Sequence, residues 1–217
     1  MSLAERVRVV REETLASDWG VLKKTTVAFR RRSGEWQEMP RETYDRGNGV
    51  GVLLYDLARR TVVLARQFRW PAFVNGHPEP LIEVPAGKLD GASPAERVRA
   101  EAEEETGFRV REPREVFDAF MSPGSVTERL HLFVAAYEPG DRVAEGGGLR
   151  AEGEDIDVME VPFEEAMAMV SDGRIRDAKT ILLLQHAALA IFAPPETPPE
   201  TPTKTPATPT ADPKEAP

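Results

Sequence analysis

A helix with both of its ends specified lies at residues 94–106, and it constrains this chain more than any other feature. Ser93 can cap the first turn, Pro94 suits the first helical position, and Glu96 completes a capping box. Gly107 follows as the terminating residue, because glycine adopts the left-handed conformation of a C-terminal cap without strain. The sequence therefore predicts a helix of about three and a half turns.

Three glutamates of this helix fall on one side of it. At about 100° per residue, Glu101, Glu104 and Glu105 share an arc of about 100°, whereas Glu103 points elsewhere. Each like-charged pair costs about a few tenths of a kcal/mol, and the helix C-terminus is unfavourable for negative charge. Two interpretations are open: an acidic, solvated surface, or a site where a divalent cation turns the repulsion into coordination. The core-facing stripe is predicted to be Ala95, Val98, Ala102 and Thr106.

The composition limits which metal and which substrate such a site could take. The chain has no cysteine and three histidines, so we expect oxygen ligands suited to magnesium, or alternatively manganese. A formal net charge of -9 argues against nucleic-acid binding, and an anionic small molecule would then need a bridging cation. The N-terminus shows no apolar signal segment, and the apolar stretch at 180–193 is interrupted by Gln185 and His186. We therefore expect a cytoplasmic protein without membrane contact.

The order of predicted elements indicates a mixed α/β domain flanked by two regions of different character. Residues 1–45 are predicted to form extended strands with polar turns, an accessory sheet outside the central domain at 46–193. Residues 194–217 hold nine of the nineteen prolines and no large apolar side chain, which predicts a disordered Pro/Thr-rich tail. In the central domain, strands are predicted at 50–55, 61–68, 81–84, 129–137 and 155–161, and helices at 94–106, 164–170 and 178–191, the last capped by Asp177.

The segment at 87–108, GKLDGASPAERVRAEAEEETGF, resembles the Nudix box. This loop–helix–loop motif belongs to enzymes that hydrolyse a diphosphate linked to another group. Glu101, Glu104, Glu105 and Gly107 match the end of the motif position by position. A strand exit into a glycine loop at 85–88 precedes the helix and could bring a backbone carbonyl toward the same metal.

The segment also departs from the usual box at three points. The spacing from Gly87 to Gly107 is one residue shorter. Ala100 replaces the arginine that precedes the first matched glutamate, and the pair at 92–93 replaces the early glutamate. In the family that arginine and that glutamate brace each other, so their joint loss leaves the ligand positions untouched.

Motifs outside the box extend the resemblance to one branch of the family, the GDP-mannose pyrophosphatases, over about residues 17–189. The motifs are YDRGNG (44–49), RQFR (66–69), MSPGSVTE (121–128), GGG (146–148), GEDI (153–156) and RDAKT (176–180). This resemblance implies a Nudix-type α/β/α sandwich with a mixed sheet, plus N-terminal antiparallel strands. It also implies a homodimer that shares those N-terminal strands across its interface.

The implied activity is metal-dependent hydrolysis of the pyrophosphate bond of a nucleoside-diphosphate sugar such as GDP-mannose. The products would be a nucleoside monophosphate and a sugar 1-phosphate. ADP-ribose hydrolysis is an alternative, because the spacing from Gly107 to Pro123 is similar to that of ADP-ribose pyrophosphatases. A non-catalytic Nudix module that binds a nucleotide sugar and a plain acidic interaction protein are further alternatives. The intact glutamates argue against the first, and the loop–helix architecture argues against the second.

The resemblance also implies roles for individual residues. The expected metal ligands are the carbonyl of Ala86 and the carboxylates of Glu101, Glu104, Glu105 and Glu154. The candidate catalytic carboxylates are Glu105, Glu104 and Glu154, with Glu154 as a further ligand or the general base. The expected substrate-binding residues are Trp19, Arg41, Glu42, Arg69, Glu128 and Lys179.

Each of these residues also has a simpler interpretation when it is considered alone. The guanidinium of Arg69 matches phosphate oxygens, but Arg66 and Arg69 could equally form surface ion pairs. Glu154, in a glycine-rich acidic loop, could be a solvated acid. Trp19 is implied to stack on a base, whereas a tryptophan is more often part of a core.

Overall fold

The structure is a computed structural model, and it describes residues 2–193. The tail predicted at 194–217 lies outside the described residues. The chain forms two sheets: a three-stranded sheet from the N-terminal region and a seven-stranded sheet with helices on both faces.

The N-terminal sheet is antiparallel and exposed. It consists of β1 (Val7–Ser17), β2 (Val21–Arg30) and β3 (Trp36–Asp45), paired in that order. Every residue of β1 is exposed, and no residue of β2 or β3 is fully buried. Near the end of β3, the Tyr44 N–H donates to the Ser125 carbonyl at 2.8 Å, which joins this sheet to the rest of the chain. The N-terminal antiparallel strands are thus confirmed.

The central sheet is mixed. Its strands are β4 (Gly49–Asp56), β5 (Thr61–Gln67), β6 (Leu81–Glu83), β7 (Ala86–Lys88), β8 (Arg114–Phe120), β9 (Arg129–Ala136) and β10 (Asp157–Pro162). The main path runs β10-β5-β4-β9-β8, with β6 paired to β5 and β7 paired to β4. Strands β4 and β9 are parallel, and the other pairs are antiparallel.

Helices cover both faces of the central sheet, as the α/β/α prediction required. They are α1 (Trp70–Val74), α2 (Pro94–Thr106), α3 (Phe163–Ser171) and α4 (Ala178–Ala190). Each face of the central sheet packs in its own hydrophobic cluster. Successive residues of a strand point to opposite faces, so β4 contributes side chains to both clusters. Val52 packs in the cluster with Val98 of α2, and Leu53 packs in the other cluster with Leu183 of α4. Among the described residues, no helix is long and apolar enough to cross a membrane.

Most predicted elements are confirmed within one or two residues of each end, and α2 has both of its predicted ends. Three elements were not predicted: α1, β7 and β8. Helix α1 is a five-residue helix with Pro71 in its first turn, too short for a periodic pattern. The prediction of a loop at 85–88 is wrong for residues 86–88, because these three residues form β7 and pair with β4. The alternation in β8 is weak because this strand is only partly buried.

Candidate active site

Local interactions form helix α2 as its sequence predicts. The Ser93 hydroxyl accepts from the Glu96 N–H at 3.4 Å, and the Glu96 carboxylate accepts from the Ser93 N–H at 3.3 Å, which completes the capping box. Gly107 ends the helix with φ 78°, in the left-handed region. The predicted core stripe is buried at Val98, Ala102 and Thr106.

Two glutamates near the end of α2 are buried, and two are only partly buried. Glu101 is 4% exposed and Glu105 is 0% exposed, so the interpretation as a solvated surface is wrong for these two. Glu104 is half-buried beside them. Glu103 points away from them, and its carboxylate accepts from Arg109 Nε at 3.2 Å in a surface ion pair. The face shared by the three predicted ligands is therefore the face that packs toward the protein interior.

The short strand β7 closes over these carboxylates. The Ala86 N–H donates to Glu105 Oε2 at 3.2 Å. At Gly87 a Cβ atom would lie 1.5 Å from Glu101 Oε1, so only glycine leaves room for that carboxylate. The structure thus brings the strand exit predicted at 85–88 directly against Glu101 and Glu105. What contacts Glu105 is the N–H of Ala86, and the predicted role of the Ala86 carbonyl stays a prediction.

The triple-glycine loop brings Glu154 to the same place. The N–H groups of Gly147 and Gly148 donate to the Glu105 and Glu104 carbonyls at 2.9 and 3.1 Å, so this loop caps the C-terminus of α2. Glu154 Oε2 then accepts from the Leu149 N–H at 2.8 Å, which fixes its side chain. The half-buried Glu154 is close enough for its charge to raise the pKa of both buried glutamates of α2.

Burial makes these carboxylates hard to ionise. It raises the pKa of Glu101 to about 7, against the opposing charge of Arg97, and it raises the pKa of Glu105 to about 9. The charges of Glu101, Glu83 and Glu154 add to the rise at Glu105. Glu105 Oε1 is also buried without a hydrogen-bond partner. A buried oxygen of this kind is costly unless another group, such as a cation, satisfies it.

The residues suit a divalent cation, although they do not form a closed cage around one. Among residues 2–193, no three His, Asp or Glu side chains are arranged to hold a metal ion. Glu101 Oε1 instead forms an ion pair with Arg97 whose geometry is not that of a hydrogen bond. The unsatisfied oxygen of Glu105 and the clustered carboxylates are nevertheless the hard donors that magnesium and manganese take.

A second cluster contains two of the predicted substrate-binding residues and one that the sequence analysis missed. Glu83 is 1% exposed at the end of β6, and its two oxygens bind Arg69 Nε at 2.6 Å and Lys179 Nζ at 2.5 Å. Lys179 also contacts Asp177 at 3.1 Å. Burial alone would lower the pKa of Lys179, but Glu83 and Asp177 more than compensate, so its pKa is raised. One signal could have identified Glu83: it is a carboxylate inside the short apolar run at 81–84.

Arg66 lies in β5 and Arg69 lies just before α1, and the two arginines have different surroundings. Arg66 forms an exposed ion pair with Asp157, as the simpler interpretation held. Arg69 is anchored on buried Glu83, and the charge of Glu105 acts on it as well. Arg69 is therefore close enough to α2 for the charge of Glu105 to act on it.

The remaining predicted substrate residues lie on or near the N-terminal sheet. Trp19 is 69% exposed, so it is not part of a core. Lys88 Nζ and the guanidinium of Arg46 each lie 5.3 Å from its ring centroid, which places Trp19 beside β7. Arg41 and Glu42 are exposed on β3, and the Arg41 guanidinium contacts its own strand at the Pro40 carbonyl. Half-buried Glu128 makes no hydrogen bond or ion pair within the described part of the chain.

Comparison with known sequences agrees with this geometry. A family profile described as the GDP-mannose pyrophosphatase NudK N-terminal domain matches residues 6–44, and a profile for the NUDIX domain matches residues 45–187. The chain belongs to the Nudix hydrolase family. Nudix hydrolases generally use divalent metal ions, which accords with the carboxylates of α2.

Relatives with high identity cover more than four fifths of this Nudix hydrolase. The GDP-mannose pyrophosphatase of Pectobacterium atrosepticum is 48% identical over 188 residues, 86% of this chain and 96% of its own. The proteins of that name from Cronobacter sakazakii and Klebsiella pneumoniae are 48% and 47% identical, over 84% and 83% of this chain and 95% and 90% of theirs.

Proposed function

We propose that this Nudix hydrolase cleaves the pyrophosphate bond of GDP-mannose, or of a closely similar nucleoside-diphosphate sugar. The products would be a nucleoside monophosphate and a sugar 1-phosphate. The observation that carries the proposal is the pair of adjoining clusters: buried carboxylates on α2, and cations held by Glu83 beside them. A diphosphate needs both a metal and direct cationic contacts. The names of relatives that match along nearly their full length support the sugar nucleotide.

In this proposal Glu101, Glu104 and Glu105 hold the metal, with Glu154 and the carbonyl of Ala86 completing the site. We expect magnesium, with manganese as a substitute, because the donors are oxygens. When bound, the metal would neutralise the diphosphate and make the attacking water more acidic.

Glu154 is the proposed general base, with Glu104 and Glu105 as the other candidates. Its Oε2 is fixed by the Leu149 N–H, and it sits on the loop that caps α2, so it faces the carboxylates without being buried among them. It would take the proton of the attacking water, a contribution of about 10²–10⁴-fold to such reactions.

Arg69 and Lys179 are the proposed diphosphate-binding residues. Both are oriented by Glu83, so they meet an incoming anion with little loss of side-chain entropy. Trp19 would stack on the base, and the cations of Arg46 and Lys88, each 5.3 Å from its ring centroid, would add positive charge near the anion. Glu128 would line the pocket after the turn at 122–124.

We further propose that residues 1–45 form a dimerisation region beside a Nudix domain at 46–193. The N-terminal sheet has no buried residue, and Val9, Val10 and Leu15 of β1 are exposed, a surface that a second copy of the chain would cover. In such a dimer Arg41 and Glu42, which are exposed on β3, would reach the site of the partner.

A phosphate-release assay tests the activity directly. Purified protein is given GDP-mannose, ADP-ribose or UDP-glucose, with and without magnesium, and a phosphatase releases inorganic phosphate from the monophosphate products. We expect magnesium-dependent turnover that is fastest with GDP-mannose. Faster turnover of ADP-ribose would instead support the alternative activity, ADP-ribose hydrolysis. Binding of a nucleotide sugar without turnover of any of the three would show a non-catalytic module.

A further inference from the structure

The guanidinium of Arg97 lies among the acidic residues of the proposed metal site. Arg97 lies one turn before Glu101 on α2, and its guanidinium forms an ion pair with Glu101 Oε1 and lies 3.8 Å from Glu104 Oε2. Its side chain is only 22% exposed. The same guanidinium donates from Nε to the Lys88 carbonyl at 3.0 Å. Three contacts thus hold one positive charge beside two of the three metal ligands proposed on α2.

The arginine that normally precedes the first box glutamate is absent, since Ala100 stands there. Arg97 does not replace its bracing function, because no glutamate at 92–93 is available to it. It contacts a proposed ligand directly, on the Glu101 oxygen that also lies against Gly87. Glu101 therefore has a guanidinium on one side and a glycine backbone on the other.

We infer that Arg97 is a positioning residue that takes the place of the metal's charge on Glu101 in the metal-free enzyme. A carboxylate oxygen held by the guanidinium is less available to a metal, so Arg97 competes with metal binding. It also relieves the repulsion among the α2 glutamates when no metal is present. Its bond to the Lys88 carbonyl keeps it beside Glu104 once Glu101 has turned to the metal.

This inference rests on the proposed metal site, and manganese binding tests it without any measurement of turnover. The test variant is Arg97→Gln, which removes the charge and keeps a donor for the Lys88 carbonyl. The matched control is Arg99→Gln on the same helix. Among residues 2–193, the hydrogen bonds of Arg99 go to the main-chain oxygens of Ala95 at 3.0 Å and Arg111 at 3.3 Å. The control substitution therefore removes the same charge from a surface position.

The dissociation constant of Mn²⁺ is measured from the electron paramagnetic resonance signal of the free ion, and the melting temperature is measured without metal. For Arg97→Gln we expect Mn²⁺ to bind about five- to tenfold more tightly, a modest coupling between two ligands of one site. The metal-free protein should melt at a lower temperature than wild type, and saturating Mn²⁺ should restore most of the loss. Arg99→Gln should leave Mn²⁺ affinity within about twofold.

Unchanged or weaker Mn²⁺ binding by Arg97→Gln would overturn the inference, since Arg97 would then be a structural brace. If that variant does not fold without metal, Arg97→Lys decides instead. It keeps the charge but lacks the planar fork that reaches Glu101 and the Lys88 carbonyl together, so tighter Mn²⁺ binding supports competition and equal or weaker binding contradicts it. Absence of Mn²⁺ binding by the wild-type protein would instead contradict the proposed metal site itself.

Discussion

The two sheets of this protein differ in what they bury. Strand β4 of the central sheet is buried at all but one of its residues, whereas strand β1 of the N-terminal sheet is exposed along its whole length. Both regions carry glutamates. In the central domain Glu101 and Glu105 are inside, and in the N-terminal sheet Glu12 and Glu13 pair with Lys23 and Arg11 at the surface.

Glutamates therefore have different energetic roles in the two regions. Exposed ion pairs such as those of β1 contribute about 0–1 kcal/mol, because water solvates both charges. The carboxylates of α2 have lost that solvation, so their charge must be balanced by a ligand, a proton or Arg97. The central domain thus holds a cluster of buried carboxylates, and the N-terminal sheet presents an exposed surface that we propose a second copy of the chain covers.

The largest effect should come from a buried carboxylate compared with an exposed one on the same helix. Glu105→Gln removes a proposed metal ligand, and we expect it to lower turnover of GDP-mannose by at least about a hundredfold, as loss of metal assistance requires. Glu103→Gln, which alters only a surface pair with Arg109, should stay within about twofold of wild type. The phosphate-release assay measures both. Equal turnover of the two variants would show that burial on α2 does not mark the site.

The next effect concerns the loop that carries Glu154. At Gly148 a Cβ atom would lie 2.5 Å from Glu154 Oε2, whereas nothing lies within 4 Å of one at Gly153. Both glycines have positive φ, 79° and 77°, so alanine strains both backbones alike. We expect Gly148→Ala to reduce turnover about 10- to 100-fold by displacing Glu154, and Gly153→Ala to act mainly on stability. If the two variants have the same kinetics, Glu154 does not need its present position.

Substitutions in the N-terminal sheet should change substrate binding rather than the chemical step. We expect this effect only if the protein is a dimer. Arg41→Ala is expected to raise the KM for GDP-mannose about tenfold through loss of one charge-assisted contact, while Arg11→Ala on β1 changes it little. At GDP-mannose concentrations well below KM, mixing Arg41→Ala subunits with Glu105→Gln subunits should give about a quarter of wild-type activity, because half of the dimers then contain one intact site. No recovery after subunit exchange would mean that Arg41 acts within its own chain.

The smallest effect is on stability without metal, and its sign follows from the raised pKa values. Glu101 and Glu105 bind protons more tightly in the folded state than at the unfolded value of 4.5. Their contribution is therefore fully present below that value and is lost as the pH rises through about 7 and then about 9.

We expect the melting temperature of the metal-free protein to fall by at least about 5 °C between about pH 5 and about pH 8.5. Saturating magnesium should remove most of this dependence, since it favours the ionised carboxylates. Glu105→Gln should flatten the curve, and Glu12→Gln on exposed β1 should not. A melting temperature that rises over this pH range would contradict the burial of these charges.

How much was predictable varies from residue to residue. The residues of α2 and the separation of Glu103 from the other three glutamates follow from capping and from 100° per residue, which involve neighbours within about four positions. The strands β4 and β5 followed from two β-branched, apolar runs that the polar residues 56–60 separate. Glu83 was missed because its partner Lys179 is 96 residues away, so the contact has no local pattern. Strand β7 was missed because three residues that include a glycine carry no periodicity.

The sequence by itself determined where the three glutamates lie on α2, because helix geometry and the two caps depend only on adjacent residues. It also determined the residue types, hard oxygen donors and arginines, that suit a metal and a diphosphate. Only the tertiary structure decided that Glu101 and Glu105 are buried, that a glycine loop brings Glu154 to them, and that Arg97 rather than a residue at position 100 meets Glu101. Those facts depend on which surfaces exclude water, and packing between distant segments sets that exclusion.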